Sequence, residues 1–520
     1  MKNFKKYLIA VSVLLAFVSC DKDIIDLTER DRLPTEVALS NLDGTRATLL
    51  QAYVYARQVH ENMELSMYKQ CGTDLVVAGT NMGDVASSGM PAFQYYNANL
   101  DPTGDQLNNL FNNYNEGIFR TNTVITYIDD FIPENAQEEA QKKQIKGEAL
   151  ALRAIMNLEL VQRWDNIVLA LEIPEEISFD YEFSDPEDTY AQIIADCTEA
   201  ISLLPVRSEL QAPNVGVASK GTAYHVLSKA LMDIGDYESA AIAAEEVIAD
   251  ASYTLEPLDV IFSITGGKEG NENNREIILS WVFDEGDVDR AQRTSQMYVP
   301  LYDRVNGILR TMEQGGRAWS RLSPSPYYWS LFDEDDLRVD AWHKTTWYFD
   351  DPDALPDGVN LGDPVTVDLV GNADPRYIEP TTTKFWEDGT YGRTIGEAEG
   401  FRNVIVYRLA EAYLIAAEAH WRNSNTTRAL TLINAIRDRA FGDTAHRFTT
   451  LNQETFIEEH ARELGHEGHR WAFLKRLGLL VERVKLHNPD AAPNIEGKHV
   501  RYPIPQVFID LTRLDQNPEY

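Results

Sequence analysis

A mainly α fold is predicted for this 520-residue chain, with tetratricopeptide-like helical pairs as the scaffold and one large irregular, loop-rich insertion. Three observations carry that reading. Apolar residues recur at helical spacing over most of the chain. Two segments repeat the spacing of a tetratricopeptide unit. Between them the periodicity stops, and Gly, Pro, Asp and aromatic residues take over.

The chain begins with Lys2, Lys5 and Lys6, then an apolar run from Tyr7 to Val18 broken only by Ser12. That run falls short of the roughly 20 residues a membrane-spanning helix needs. Charge, short apolar core and small residues have the layout of a secretory signal. Phe17-Val18-Ser19-Cys20 resembles a lipoprotein box, which predicts cleavage before Cys20 and lipidation of its sulfur. Several acyl chains, at about 0.8 kcal/mol per buried methylene, would hold the chain on a membrane. Residues 1–19 are thus expected to be a signal peptide and 20–40 a lipidated tether, acidic at Asp21, Asp23 and Asp26. Residues 41–520 are expected to form a single domain, with the insertion at about 251–403.

Helices are expected over Leu42–Val59, Leu107–Phe131, Gln137–Arg163 and Tyr190–Leu204, the last ended by Pro205. A Gly-, Ser-, Asn- and Asp-rich loop spans Gly72–Gly104. In Ala218–Asp250, Tyr224, Leu227, Leu231, Ala240, Ala244 and Val247 fall at repeat spacing around a Gly235-Asp236 turn. Arg408–Ala440 repeats the pattern with Tyr413, Ala417, Ala429, Ile433 and Ile436 around Asn423-Ser424-Asn425. The copies lie far apart in sequence, whereas a stand-alone superhelix normally has adjacent ones.

A net charge of −35 disfavours nucleic acid and anionic headgroups and suits a neutral ligand, a basic peptide or a cation-rich surface. Beyond Cys20 only Cys71 and Cys197 remain, enough for one disulfide but not for a zinc ligand set. His460, His466 and His469 read as surface histidines, because His-Glu-Gly-His lacks the i, i+4 spacing of His-Glu-x-x-His. No nucleophile elbow, phosphate loop or dinucleotide fingerprint is present. No cofactor is expected. Calcium stays open at the acidic runs 333–336 and 350–353, which lack EF-hand spacing and read as solvated loops. An acidic pair for glycoside hydrolysis also stays open, since an acidic chain supplies many.

Aromatic loops offer the better chemistry. Gly315-Gly316-Arg317-Ala318-Trp319-Ser320-Arg321 precedes Tyr328, Trp329, Trp342 and Trp347, and an earlier loop holds Asn81, Tyr95 and Tyr96. Indole and phenol rings pack against the C–H faces of sugars, while Arg and Asn reach hydroxyls. The ligand candidates are Asn81, Tyr95, Tyr96, Arg317, Trp319, Arg321, Trp342 and Trp347. Trp329 and Phe332 read as core.

Several motifs follow in a set order. They are Tyr407-Arg408-Leu409-Ala410-Glu411, Ile433-Asn434-Ala435-Ile436-Arg437-Asp438-Arg439, Arg462-Glu463-Leu464-Gly465-His466-Glu467-Gly468-His469-Arg470-Trp471, and Lys475-Arg476-Leu477-Gly478. With Pro503-Ile504-Pro505 and the closing Gln516-Asn517-Pro518-Glu519-Tyr520, they resemble the RagB/SusD family of outer-membrane nutrient-binding lipoproteins. Arg163-Trp164-Asp165 resembles the family's helix exit, and Phe473 stands where the family usually has Asp. The resemblance implies a surface-exposed, lipid-anchored, non-enzymatic protein that binds oligosaccharide and delivers it to a SusC-like TonB-dependent transporter. Peptide uptake, as in RagB-like members, is the alternative, and a surface glycosidase a more distant one. The resemblance also implies a binding platform built from the early loop and the insertion. Arg408 with Glu411, and Glu463 with Arg470 and Glu467, are expected to pair and hold the scaffold, joined by Arg437 and Arg439.

Overall fold

The computed structural model describes residues 38–61, 63–83, 91–173, 180–210, 215–263, 272–284, 286 and 291–520. The expected signal segment, Cys20 and the expected tether through residue 37 lie outside the described residues. Eleven helices matter for the argument: α1 (Leu42–Arg57), α2 (Asp105–Asp130), α3 (Ala136–Trp164), α4 (Pro186–Leu203), α5 (Lys220–Ile234), α6 (Tyr237–Ala249), α7 (Leu409–Arg422), α8 (Thr426–Phe441), α9 (Gln453–Leu464), α10 (Arg470–Arg476) and α11 (Leu480–His487). Among the described residues the strands are β1 (Val76–Ala78), β2 (Ile277–Trp281), β3 (Leu322–Pro324), β4 (His343–Lys344), β5 (Thr381–Thr382) and β6 (Val404–Arg408).

Local chemistry sets the helix ends. Asn135 caps α3 by accepting from the backbone N–H groups of Gln137 and Glu138, and Ser219 forms a capping box with Thr222 at the start of α5. Gly235, at φ 79°, closes α5 in the left-handed region, and Asp236 at once caps α6. Such a turn folds two helices back to back.

From α1 to α8 each helix packs on the next, and α6 packs on α7. The two repeats, distant in sequence, are therefore neighbours in space. Ala240, Ala243 and Ala244 of α6 meet Ala410, Ala416, Ala417 and Ala419 of α7 in shared clusters, and these small side chains permit close approach. The mostly helical scaffold agrees with the sequence reading.

The strands form three two-stranded antiparallel ribbons, β1–β3, β2–β6 and β4–β5. In β2–β6, Ile277 lies opposite Arg408 and Trp281 opposite Val404. The irregular segment after α6 thus leaves and rejoins the scaffold at one place. It has its own small core of Val299, Tyr302, Trp347, Phe349 and Trp386.

The charge network differs in detail from expectation. Arg408 ends β6 and precedes α7 with extended backbone (φ −141°), so its side chain leaves the helix and cannot pair with Glu411. It instead meets Glu276 (2.8 Å), Glu463 (2.7 Å) and Glu467 (2.6 Å). Arg470 likewise turns away from Glu463, because His466 (φ 69°) and Gly468 (φ 90°) bend the chain between α9 and α10. It pairs with Asp74 at 2.7 Å. Arg439 does join the network, through Glu276 and Glu463, and Arg437 through Glu459.

His460 and His466 are buried rather than on the surface, and His460 stacks on Phe473 at 3.9 Å. Cys71 and Cys197 are free and buried, with burial pushing both thiols up. The acidic runs are not uniformly solvated. Asp336 is buried in a bidentate pair with Arg338 (2.9 and 2.7 Å), and Asp350 accepts from Leu309 N at 2.7 Å. Among the described residues no three His, Cys, Asp or Glu side chains converge as metal ligands.

Candidate functional site

Two candidate loops, distant in sequence, become one edge. β1 pairs with β3, Val76 opposite Pro324 and Ala78 opposite Leu322. Past the ribbon the pairing continues irregularly. Gly79 N donates to Arg321 O and Asn81 N to Ser320 O, both at 2.9 Å. Thr80 N and Oγ1 donate to Ser320 Oγ at 3.1 and 2.9 Å, and the Arg321 guanidinium donates to Asn81 O. A Cβ on Gly79 would lie 2.3 Å from Ser320 O, so only glycine permits this approach. Ser320 sits at φ 50°, a strained region for a residue with a side chain, and its N–H donates to Val299 O at 2.8 Å.

That held bend presents Trp319. The ring is half-buried, with the Arg317 guanidinium 4.5 Å and that of Arg321 5.0 Å from its centroid. Arg321 is itself buried, so it positions the indole and the Asn81 backbone instead of offering itself to solvent. Arg317 and Asn81 are half-buried beside it. An indole, a guanidinium and an amide on one rigid edge can stack a ring and hydrogen-bond its hydroxyls.

Tyr95 borders the same ribbon from the early loop. It is half-buried, and Asp490 lies near enough that burial first, then this carboxylate, pushes the phenol up. Asp490 also accepts from Ala78 N in β1 at 2.6 Å. Arg376, paired with Asp374 at 2.9 Å, acts on Tyr95 from the insertion side. Sequence reasoning missed Asp490 and Arg376, since neither stands in a motif nor near Tyr95 in the chain.

Four predicted ligand residues are corrected by burial, Arg321 as described above and three aromatic residues. Tyr96 is 2% exposed; its hydroxyl donates to Gly72 O (2.7 Å) and accepts from Trp471 Nε1 (3.0 Å). Trp342 is fully buried edge-on against Phe262 and donates to Leu258 O at 3.0 Å. Trp347 stacks on Tyr302 at 4.7 Å inside the insertion's core. Their rings belong to packing. Trp329 and Phe332 pack half-buried against the main core.

Known proteins share this architecture. The model of the SusD family matches residues 275–520, and a second model, described as starch-binding and associating with the outer membrane, matches residues 34–232. A SusD-like protein P25 of Formosa agariphila is 36% identical over 126 residues, or 22% of this chain and 23% of that protein. The starch-binding protein SusD of Bacteroides thetaiotaomicron is 33% identical over 123 residues, or 23% and 22% of the two chains. The matched segments thus span less than a quarter of these curated relatives. A solved laminarin-binding SusD-like protein is 25% identical, with 92% of this chain and 99% of that one covered at a TM-score of 0.72. Matched along both halves and alike in fold from end to end, the chain belongs to the SusD family.

Proposed function

We propose that this protein captures oligosaccharide at the cell surface and hands it, unaltered, to a SusC-like TonB-dependent transporter in the outer membrane. The observation that carries the reading is Trp319, held half-exposed between Arg317 and Arg321 at the rim where the early loop joins the insertion. Rigid aromatic surface with neighbouring donors suits a neutral, hydroxyl-rich ring. The starch-binding relative and the laminarin-binding neighbour support a glycan as the ligand class. The signal-like N-terminus with Cys20 supports a lipid anchor facing the exterior. The roles assigned to Asn81, Tyr95, Arg317 and Trp319 belong to this proposal.

Incubating the protein with a panel of α- and β-glucans, followed by calorimetry and product analysis, tests it. Retention of a glucan without new products is the expected result. Released sugars would assign a glycosidase. Binding only to peptides would assign the peptide-uptake alternative. Co-purification of a barrel transporter with the tagged protein from detergent-solubilised membranes tests the delivery step.

A further inference from the structure

The Trp319 edge carries more cation than a neutral sugar needs. Both guanidiniums lie over the indole, Arg317 at 4.5 Å and Arg321 at 5.0 Å, so a sugar that reaches the ring also reaches Arg317. Arg321 is buried and donates to Asn81 O, whereas Arg317 keeps part of its side chain in solvent. Among the described residues Arg317 pairs with no carboxylate, and its hydrogen bonding is confined to Gly396 O at 3.5 Å. Most of its N–H donors therefore stay open.

A second guanidinium packs against the same bend. Arg393 is 2% exposed, and a Cβ on Gly316 would lie 3.6 Å from its Cζ. Its Nε and Nη2 donate to Glu397 O at 3.3 Å, while Nη1 has no hydrogen-bond partner among the described residues. The Glu387 carboxylate stands off at 3.8 Å and accepts from Phe401 N and Arg402 N, both at 2.9 Å. Burial first lowers Arg393, Glu387 offsets part of this, and the neighbouring Arg317 cation lowers it further. Nearby, Glu399 pairs with Arg293 (2.7 Å) and the Glu397 carboxylate accepts from Thr394 N (2.7 Å). The chain's net charge of −35 is screened beyond about 10 Å at ordinary salt, so the local balance, which favours cation, governs a docking ligand. A guanidinium laid on an aromatic ring holds its fork of donors in one plane, and that fork matches a carboxylate with two parallel bonds.

We propose that the glycan taken at this edge carries a carboxylate, as a uronic acid residue does, and that Arg317 binds it through two N–H donors while a neighbouring sugar lies at Trp319. This rests on the reading of the edge as the glycan site. The probes are α- and β-linked oligosaccharides ending in glucuronate, and the same molecules after reduction of the carboxyl to a hydroxymethyl, which turns glucuronate into glucose. In calorimetry near pH 7, at least one acid form should bind about tenfold or more tighter than its reduced form, the worth of a hydrogen bond to a charged group. Arg317→Gln should bind the two forms alike, and Arg317→Lys, which keeps the charge but loses the fork, should fall between. Added salt should weaken the acid form alone. Equal or tighter binding by the reduced forms would overturn the carboxylate and leave the glycan site standing, whereas binding of neither form would overturn both. A sulfated analogue that binds where no uronate does would also overturn the carboxylate. An acid preference kept in full by the Arg317→Gln protein would overturn the role of Arg317.

Discussion

Trp319, Trp342 and Trp347 look alike in sequence, aromatic residues in a loop-rich stretch, yet their surroundings give them different work. Trp319 is clasped by two guanidiniums and keeps part of its ring in solvent, so its truncation should cost ligand affinity more than stability. Trp319→Ala is expected to weaken oligosaccharide binding by about 1–3 kcal/mol in calorimetry. Its melting curve should shift no more than a surface substitution does, about 0.5 kcal/mol. Trp347 fills the insertion's core against Tyr302 and hydrogen-bonds Glu379 O at 3.3 Å. Trp347→Ala should therefore lower stability by about 3–5 kcal/mol, read from denaturant unfolding. Tyr95 and Tyr96 make the same point over one residue. Composition marks both rings, but only burial separates the one facing out from the one hydrogen-bonded inside.

At the scale of elements, the β1–β3 ribbon is where the candidate site is assembled. Gly79→Ala would set a Cβ against Ser320 O and push the early loop away from the Trp319 bend. The expected result is weaker glycan binding together with a lower melting temperature, unlike Trp319→Ala, which should affect binding alone. Equal melting curves for the Gly79→Ala and unaltered proteins would refute this close contact. The ribbon was hidden in the sequence for a physical reason. Strands of three residues carry almost no periodicity, and their partner lies far along the chain. The long helices were legible because a 3.6-residue repeat is a local signal, and α2, α3 and α4 start within a few residues of their expected places. The repeat motifs told which helices pair within each copy. They could not tell that α6 would lie on α7, since that contact crosses the insertion. Arg408 was identified as a scaffold charge, but its partners depend on its being the last residue of a strand.

For the molecule as a whole, buried histidines set the response to acid. Burial lowers His469 to about 4 and His343 to about 3, from an ordinary value near 6.5. Above pH 6.5 both folded and unfolded chains hold these rings neutral, and they contribute nothing to pH dependence. As pH falls below 6.5 the unfolded chain takes up protons that the folded chain refuses, so stability declines down to the folded values. For His469 the loss is on the order of 3 kcal/mol. Melting temperatures measured between pH 7 and 4.5 should fall steadily, and His469→Gln should flatten the slope. The anchor is a prediction at the same scale. Protease shaving of intact cells should remove the protein, while Cys20→Ala should leave it off the membrane fraction. The pairing of β2 with β6, clamped where Arg408 meets Glu276, has a wider consequence. That clasp closes the base of the 282–403 segment, and Arg338 on Glu459 (2.8 Å) and Lys384 on Glu467 (2.7 Å) tie it again to α9 and its exit, so only the loops outside these ties can change without pulling on the helices. Such a chain can keep its helical frame while its outer loops vary.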